Sequence, residues 1–314
     1  MTIQEIYNLA IQKGTVADFR GQEAIQEYLD DKKKEYDKLS EEDKEIFDKE
    51  RLTNPYSDSR ILFGDPNKEV KKILVGIDVE GTELLIAKQM GDIDLVISHH
   101  PRGIALAGLD DVMNLQIDVL EHYGVPVNVA EKITKKRISE VSRGVNPSNH
   151  NRAVDTARIL NIPFICLHTP CDNLVADFIN KEIKKENPKY VGDIIDLFKR
   201  IPEYKEAGRN GAGPCSFVGG PKDRAGKIVI TEITGGTENA PEAFEKLAQA
   251  GAGTIIGMHI SEKNKEEAEK SGVNVVIAGH ISSDSLGVNL FLDELEKKGI
   301  EIIPCSGLTR YSRN

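Results

Sequence analysis

The sequence predicts an α/β protein of two similar αβ lobes, with mainly parallel mixed sheets around a shared metal cleft and an N-terminal helical extension. Three observations carry that expectation. Short, almost wholly apolar segments of strand length alternate with charged segments of helical period, the pattern of parallel strands covered on both faces. The pattern occurs twice, as "GDPNKEVKKILVGIDVEG" then "DIDLVISHH", and as "GGPKDRAGKIVITEITGG" then "GAGTIIGMHI". Related lobes or ordinary αβ convergence would each produce such a likeness. Finally, five of the seven histidines, His99, His100, His168, His259 and His280, fall where a strand is expected to stop. That is the edge at which open αβ sheets bind ligands.

The first fifty residues are helical in pattern. "GQEAIQEYLDDKKKEYDKLSEEDKEIFDKE" mixes charges of both signs, with Ile25, Tyr28, Leu29, Tyr36 and Leu39 as a sparse apolar stripe. Residues 1–54 are therefore read as a charged, solvated helical extension. "LTNPYSDSR" breaks the pattern, and residues 55–186 form the first lobe. There "KKILVGIDV" is a strand, "TELLIAKQM" a helix with Thr82 as N-cap, and "IDLVISHH" the next strand. The helix "VMNLQIDVLEHYG", the strand "VPVNVA", an interrupted helical stretch to "RGVNPSNH", the helix "RAVDTARILN" and the strand "PFICLH" follow. Residues 187–225 read as a connector. Residues 226–314 form the second lobe, with strands "GKIVITEIT", "GTIIGMHI", "VNVVIAGH" and "IEIIPC" separated by helices "NAPEAFEKLAQAG", "EKNKEEAEKSG" and "SLGVNLFLDELEKKG".

Composition narrows the function classes. With 314 residues, 39% hydrophobic and 29% charged, the chain has enough material for one large or two ordinary globular domains. A net charge of -10 repels nucleic acid and acidic membranes. The basic runs "KKIL" and "KITKKR" are short enough to be solvated faces. The absence of tryptophan and an aromatic content of 5% argue against a base-stacking surface. No apolar run reaches membrane-spanning length and no signal segment is legible, so a cytoplasmic location is expected. Cys166, Cys171, Cys215 and Cys305 form no CxxC and no disulfide pattern. Cys166 and Cys305 sit in strand contexts, and Cys171 reads as a bystander beside Asp172.

The chemistry concentrates at the strand ends. In "LHTPCDN" and "AGHISSDS", a histidine precedes an aspartate by four residues, His168 before Asp172 and His280 before Asp284. If a helix starts just after the strand, both members share one helix face. Imidazole nitrogen with carboxylate oxygen suits Zn²⁺, Mn²⁺ or Fe²⁺. In a straight strand His99 and His100 of "LVISHHPRG" would point to opposite faces. Pro101 ends that strand, and a twisted terminus turns both rings into one cavity. Adjacent imidazoles then serve two ions bridged by carboxylates, as in two-metal hydrolytic sites with ions about 3.5–4 Å apart. The candidate ligands at the strand ends are therefore His99, His100, His168, Asp172, His280 and Asp284, and an imidazole there that does not ligate, such as His168, can instead orient a carboxylate that does.

"TEITGGTENAP" places Gly235, Gly236 and Thr237 between a strand and a helix. Such a turn is either an anion-binding nest or a tight turn with Thr237 as helix cap. No nucleophile elbow, P-loop or GxGxxG fingerprint occurs, and no dedicated base stands out. Water activated by a metal is the expected nucleophile.

Taken in order, "LFGDPNKEVKKILVGIDVEG…DLVISHHP", "HTPCDN", "ITGGTENAPEAFEKLAQAG" and "VVIAGHISSDSLG" resemble the Nif-three-like family. Its members are also called dinuclear metal centre hexameric proteins and are often labelled GTP cyclohydrolase I type 2. The likeness runs from roughly residue 60 to the C-terminus. It implies two similar αβ lobes, a toroidal homohexamer, and two divalent ions (Zn, Mn or Fe) in each subunit. His99 and His100 match the family's tandem histidines, Asp172 its bridging aspartate and His168 the histidine before it. His280 matches the histidine of a GH-x-x-[ST]-E motif, where Asp284 stands in place of the usual glutamate. The charged N-terminus and a longer segment between His100 and His168, which contains His150, are further departures.

The family label implies opening of a purine ring, while a two-metal site beside an anion turn suits phosphoester or amide hydrolysis equally. The expected function is metal-dependent hydrolysis of a small phosphate-bearing or nucleotide-like compound. The alternative is a non-enzymatic metal-binding oligomeric scaffold, metal chaperone or ligand-binding regulator. No membrane or nucleic-acid partner is expected.

Overall fold

In a computed structural model describing residues 1–314, eight of the nine strands fall into two sheets built to one plan. The first contains β1 (Arg60–Phe63), β2 (Lys72–Gly76), β3 (Leu95–Ser98) and β4 (Phe164–Cys166). The second contains β5 (Cys215–Val218), β6 (Lys227–Glu232), β7 (Ala252–Gly257) and β8 (Asn274–Ile277). Strand order is β1-β4-β3-β2 in one and β5-β8-β7-β6 in the other. In each, three parallel strands carry one antiparallel edge strand. The register slips of the two edge strands also correspond, between Ile61 and Phe63 in β1 and between Ser216 and Val218 in β5. The lobes are similar, as the repeated motifs predicted. The two edge strands were not read from the sequence, because at four residues each, RILF and CSFV are too short for a period to be told from a chance apolar cluster.

The remaining strand departs from expectation. β9 (Glu301–Cys305), read with the second lobe, pairs in parallel with β2 and extends the first sheet to β1-β4-β3-β2-β9. Its route is α15 (His280–Glu296), which starts beside β8 and buries Phe291, Leu292 and Leu295 in the core of the first sheet. Seventeen residues of helix span about 25 Å, enough to carry the chain across the cleft. A strand's apolar pattern says that it is buried, not which sheet buries it.

Helices cover both sheets. α1 (Ile3–Ala17) is more than part of a solvated extension, since Ile3, Ile6, Tyr7 and Ala10 lie in the first-sheet core. The charged pieces α2 (Gln22–Asp37) and α3 (Glu41–Ile46) do face solvent, with Ile25 their one buried side chain. A 3₁₀ turn (Lys49–Leu52) leads back into the first lobe, where the Arg60 guanidinium, buried at the start of β1, pairs with Asp48 at 2.7 Å. α4 (Gly81–Met90) begins one residue before Thr82, so Thr82 is not its cap. The Glu80 N–H donates instead to the Glu83 carboxylate at 2.8 Å.

The segment between β3 and β4 is helical throughout: α5 (Gly103–Ala107), α6 (Leu109–Val112), α7 (Leu115–His122), α8 (Val127–Val145) and α9 (Arg152–Leu160). "VPVNVA", expected as a strand, is the start of α8. Pro126 occupies the N-cap, where its missing N–H costs nothing, and helix formers follow over the next four turns. α10 (Thr169–Glu186) leaves β4. The stretch read as a connector holds α11 (Val191–Phe198), α12 (Pro202–Arg209) and β5, with Val191, Ile194, Phe198 and Tyr204 sharing a core with β6, β7 and β8. α13 (Glu242–Gln249) and α14 (Glu262–Ser271) complete the second lobe. No helix is long and apolar enough to cross a membrane.

α10 and α15 pack closely where Gly287 meets the Cys171 carbonyl, and a Cβ at 287 would collide with that oxygen. Alanine for glycine inside a helix normally gains about 1 kcal/mol. Here Gly287→Ala is expected to destabilise by about 1–3 kcal/mol through overpacking, read as a lower denaturation midpoint. A stabilised variant would refute the close crossing.

Candidate metal centre

The strand ends deliver the predicted residues to one place. Pairing of β2 and β3 continues past their last residues, with the His99 N–H donating to Gly76 O at 2.9 Å and the His100 N–H to Ile77 O at 3.0 Å. Pro101 then turns the chain away. His168 follows β4 and immediately precedes α10, so Asp172 N–H donates to His168 O at 3.1 Å, one helical turn on. His280 opens α15 after Gly279, whose φ of 110° suits glycine. Asp284 lies one turn further. Both four-residue spacings are therefore first turns of helices.

Each inner imidazole is fixed by its outer nitrogen. Nδ1–H donates to Leu167 O at 3.0 Å in His99, to Asp78 Oδ1 at 2.8 Å in His100 and to Asp58 Oδ2 at 2.7 Å in His168. Carbonyl and carboxylate oxygens only accept, so Nδ1 carries the proton and Nε2 keeps its lone pair for the interior. Those Nε2 atoms face carboxylates. His99 lies 3.4 Å from Asp172 and 3.5 Å from Asp284. His100 and His280 lie 3.3 and 3.6 Å from Asp284 Oδ2, and His168 lies 3.7 Å from Asp172.

These spacings exceed a good hydrogen bond, and His99 Nε2, Asp172 Oδ1 and both Asp284 oxygens are buried with no hydrogen-bond partner. They do match donor atoms sharing a cation. Ligands about 2.1 Å from an ion stand about 3–3.4 Å apart. Three overlapping sets have ligand atoms within 4.8 Å of one another: His99, His100 and His168; His100, His280 and Asp284; His99, Asp172 and Asp284. The buried His and Asp groups fit a metal ion.

Charge points the same way. Burial pushes the Asp284 carboxyl up, but His99, His100 and His280 hold it far below the usual carboxylate range. Burial pushes His99 down, and Asp284 with Asp172 more than reverses this, so its affinity for positive charge is well above ordinary. His280, more open to solvent, is lowered by burial despite Asp284. Asp172 and Asp284 have no lysine or arginine partner, only imidazoles.

A cavity of about 260 Å³ opens over the cluster. His100, His168, Asp172, His280 and Asp284 line its floor, and Leu106, Leu109, Ile233 and Met258 form an apolar wall. Leu106 and Leu109 come from the long segment after His100, so part of that segment covers the site. The rest lies outside, where Lys136 of α8 pairs with Glu242 of α13. His150 is also outside, its Nε2 held 2.9 Å from Val145 O. His259 lines the cavity, with its ring centroid 5.0 Å from that of His280, but belongs to none of the three sets.

Gly235 and Gly236 have φ of 90° and 91°. Their turn is fastened by the Gln116 side-chain amide, which donates to Gly235 O at 3.0 Å and to Thr237 O. Gly236 and Thr237 line the cavity, whereas α13 begins only at Glu242, so Thr237 caps no helix.

Sequence reasoning missed Asp58, Asp78 and Glu232. Asp58 is 110 residues from the ring it holds, in the break "LTNPYSDSR", with no local signal. Glu232 ends β6 and Asp78 follows the end of β2 by two residues, so the rule that singled out the histidines would have found them had carboxylates been scanned as well.

No protein-family model matches the chain, and no curated protein matches it in sequence. Among solved structures it is similar to a NIF3 superfamily protein from Sphaerobacter thermophilus, at 28% identity and a TM-score of 0.71, over 80% of this chain and 92% of that one. It is also similar to reduced HcgD from Methanocaldococcus jannaschii, at 17% identity and a TM-score of 0.52, over 84% and 94% of the two chains. The second likeness concerns the fold alone.

Asp58→Asn tests the outer anchors. An amide can present N–H to His168 and favour the wrong tautomer, so metal affinity should fall by about 10–100-fold in competition against a chelating dye. Unchanged affinity would mean that Asp58 serves folding only.

Proposed function

The chain belongs to the NIF3 superfamily, and on that premise we propose that it is a two-metal hydrolase of a small phosphate-bearing or nucleotide-like compound. The observation that carries this reading is the set of buried donor atoms without hydrogen-bond partners, His99 Nε2, Asp172 Oδ1 and both Asp284 oxygens. In this reading His99 and Asp172, with His168 beside them, hold one divalent ion. His100 and His280 hold the other. Asp284 lies between, with Oδ1 towards His99 and Oδ2 towards His100 and His280. Aspartate at 284 is one methylene shorter than the glutamate usual in the family, yet its oxygens come within 3.3–3.6 Å of three imidazoles. Zinc, manganese and iron all suit such a donor set. When bound, these ions would polarise a substrate oxygen and lower the pKa of water.

The chain's own groups do the remaining work. Asp58 and Asp78 hold His168 and His100 in register. The apolar wall of Leu106, Leu109, Ile233 and Met258 suits a flat organic group and excludes water. Thr234, Gly236 and Thr237 add polar groups to the lining, as does Arg102, whose guanidinium is paired with Asp78 and Glu80. Self-association into the family's toroidal hexamer is part of the proposal. Leu85, Ile86 and Met90 on α4 and Ile159 on the neighbouring α9 are solvent-exposed apolar side chains that support it.

The test begins with metal analysis of purified protein, where two divalent ions per chain are expected, and light scattering, where a hexamer is expected. A screen of phosphoesters, nucleotides including GTP, and amides should then reveal turnover that His100→Ala lowers by at least about 100-fold with assembly intact. A metal-bearing parent without turnover, whose assembly fails when His100 is replaced, would point instead to a scaffold, metal chaperone or ligand-binding regulator.

A further inference from the structure

One buried acid in this cavity has no part in the cluster. Glu232 is the last residue of β6 and only 7% exposed, and it lines the same cavity as the histidines and aspartates. Its carboxylate accepts from Asn239 N–H at 2.9 Å and from the Asn239 side-chain amide at 2.7 Å. These donors are neutral, as is the Thr231 hydroxyl 3.5 Å from the same carboxylate, and no lysine, arginine or histidine pairs with it. Both oxygens accept from N–H donors, so a carboxyl suits this place, and no cation offsets its charge when it ionises. An acid that is buried without a cationic partner and lines a cavity is a candidate for proton transfer as well as a fastener of its loop.

We propose that Glu232 is the proton donor to the leaving group in this cavity, with Asn239 as its positioning residue. This rests on the hydrolase reading. As the scissile bond breaks, the Glu232 O–H bond breaks with it, and the proton goes to the departing oxygen or nitrogen. The attacking water forms the new bond to the substrate and releases a proton, which returns to the Glu232 carboxylate. The Asn239 donors hold that carboxylate while it is charged.

Its surroundings suit a group that is protonated at the start of each cycle. Burial, opposed by the Asn239 donors and reinforced by Glu238 on the same loop, pushes the Glu232 carboxyl up to about 7. An acid in that range is matched to proton transfer near neutral pH. The other charged or titratable groups facing the cavity are Arg102 after β3, His259 after β7, and His100, His168, Asp172, His280 and Asp284 of the cluster.

The experiment uses the metal-loaded protein and two variants, Glu232→Gln and Asn239→Ala. In the parent, the infrared carboxylic-acid band should titrate near neutral pH and vanish in Glu232→Gln at unchanged metal content. Folded stability gives a second readout. A carboxyl raised in the native state stabilises it below the ordinary value of 4.5, and that contribution is lost as pH rises to about 7. The parent's fall in melting temperature across that window should shrink in Glu232→Gln.

With a substrate from the screen, Glu232→Gln should lose about 100-fold or more in turnover. Asn239→Ala, which removes a donor to the charged form, should move both the band and the alkaline limb of the rate profile to higher pH. It also carries the test should Glu232→Gln fail to fold. A parent lacking a neutral-range acid band, or a Glu232→Gln variant turning over within about threefold of an active parent, overturns the proposal. A parent with the band but no hydrolysis overturns the hydrolase reading, and the leaving-group role with it. The infrared titration tells the two failures apart.

Discussion

Two buried aspartates set the terms for everything around them. Asp172 and Asp284 each open onto the cleft from the first turn of a helix, nearly closed to solvent, and neither meets a lysine or arginine. Removing a carboxylate from water without a compensating charge costs several kcal/mol. The imidazoles answer only part of that demand. Asp58 and Asp78 stand behind them and add further negative charge. Four carboxylates around four imidazoles make a pocket whose electrostatics call for cations, and the outer pair also fixes which nitrogen of His100 and of His168 faces inward.

Holding such a group together requires a rigid frame. α10 and α15 begin at the cleft and cross where Gly287 leaves room for the Cys171 carbonyl. α10 issues from the first sheet and α15 from the second, so their crossing sets the distance between Asp172 and Asp284. α15 then ends in the first-sheet core and hands the chain to β9 beside β2. The lobes are thus joined twice, by helix packing and by a shared strand, and the donor atoms from both are held within a few ångströms.

The long segment between His100 and His168 bears on the site as well. α5 and α6 contribute Leu106 and Leu109 to the cavity wall, and Gln116 of α7 fastens the carbonyls of the Gly235–Thr237 turn from outside. The cavity is therefore lined by both apolar and polar side chains, Glu232 among the polar ones. A mixed lining offers contacts to both the organic and the ionic part of a bound molecule.

The sequence by itself determined the αβ alternation, the doubled plan of the lobes, and the gathering of histidines and aspartates at strand ends. Each follows from local periodicity, from a spacing of four residues, or from proline and glycine stopping an element. It could not reveal that β9 returns to the first sheet, that α1 is core rather than coat, or that "VPVNVA" is helical. In each case a short apolar run fits several burials equally well. Nor could it connect Asp58 to His168 or Gln116 to Gly235 and Thr237, since those pairs are more than a hundred residues apart. A side chain's chemistry is written in the chain, but the group it meets is chosen by packing, and only the folded protein decides that.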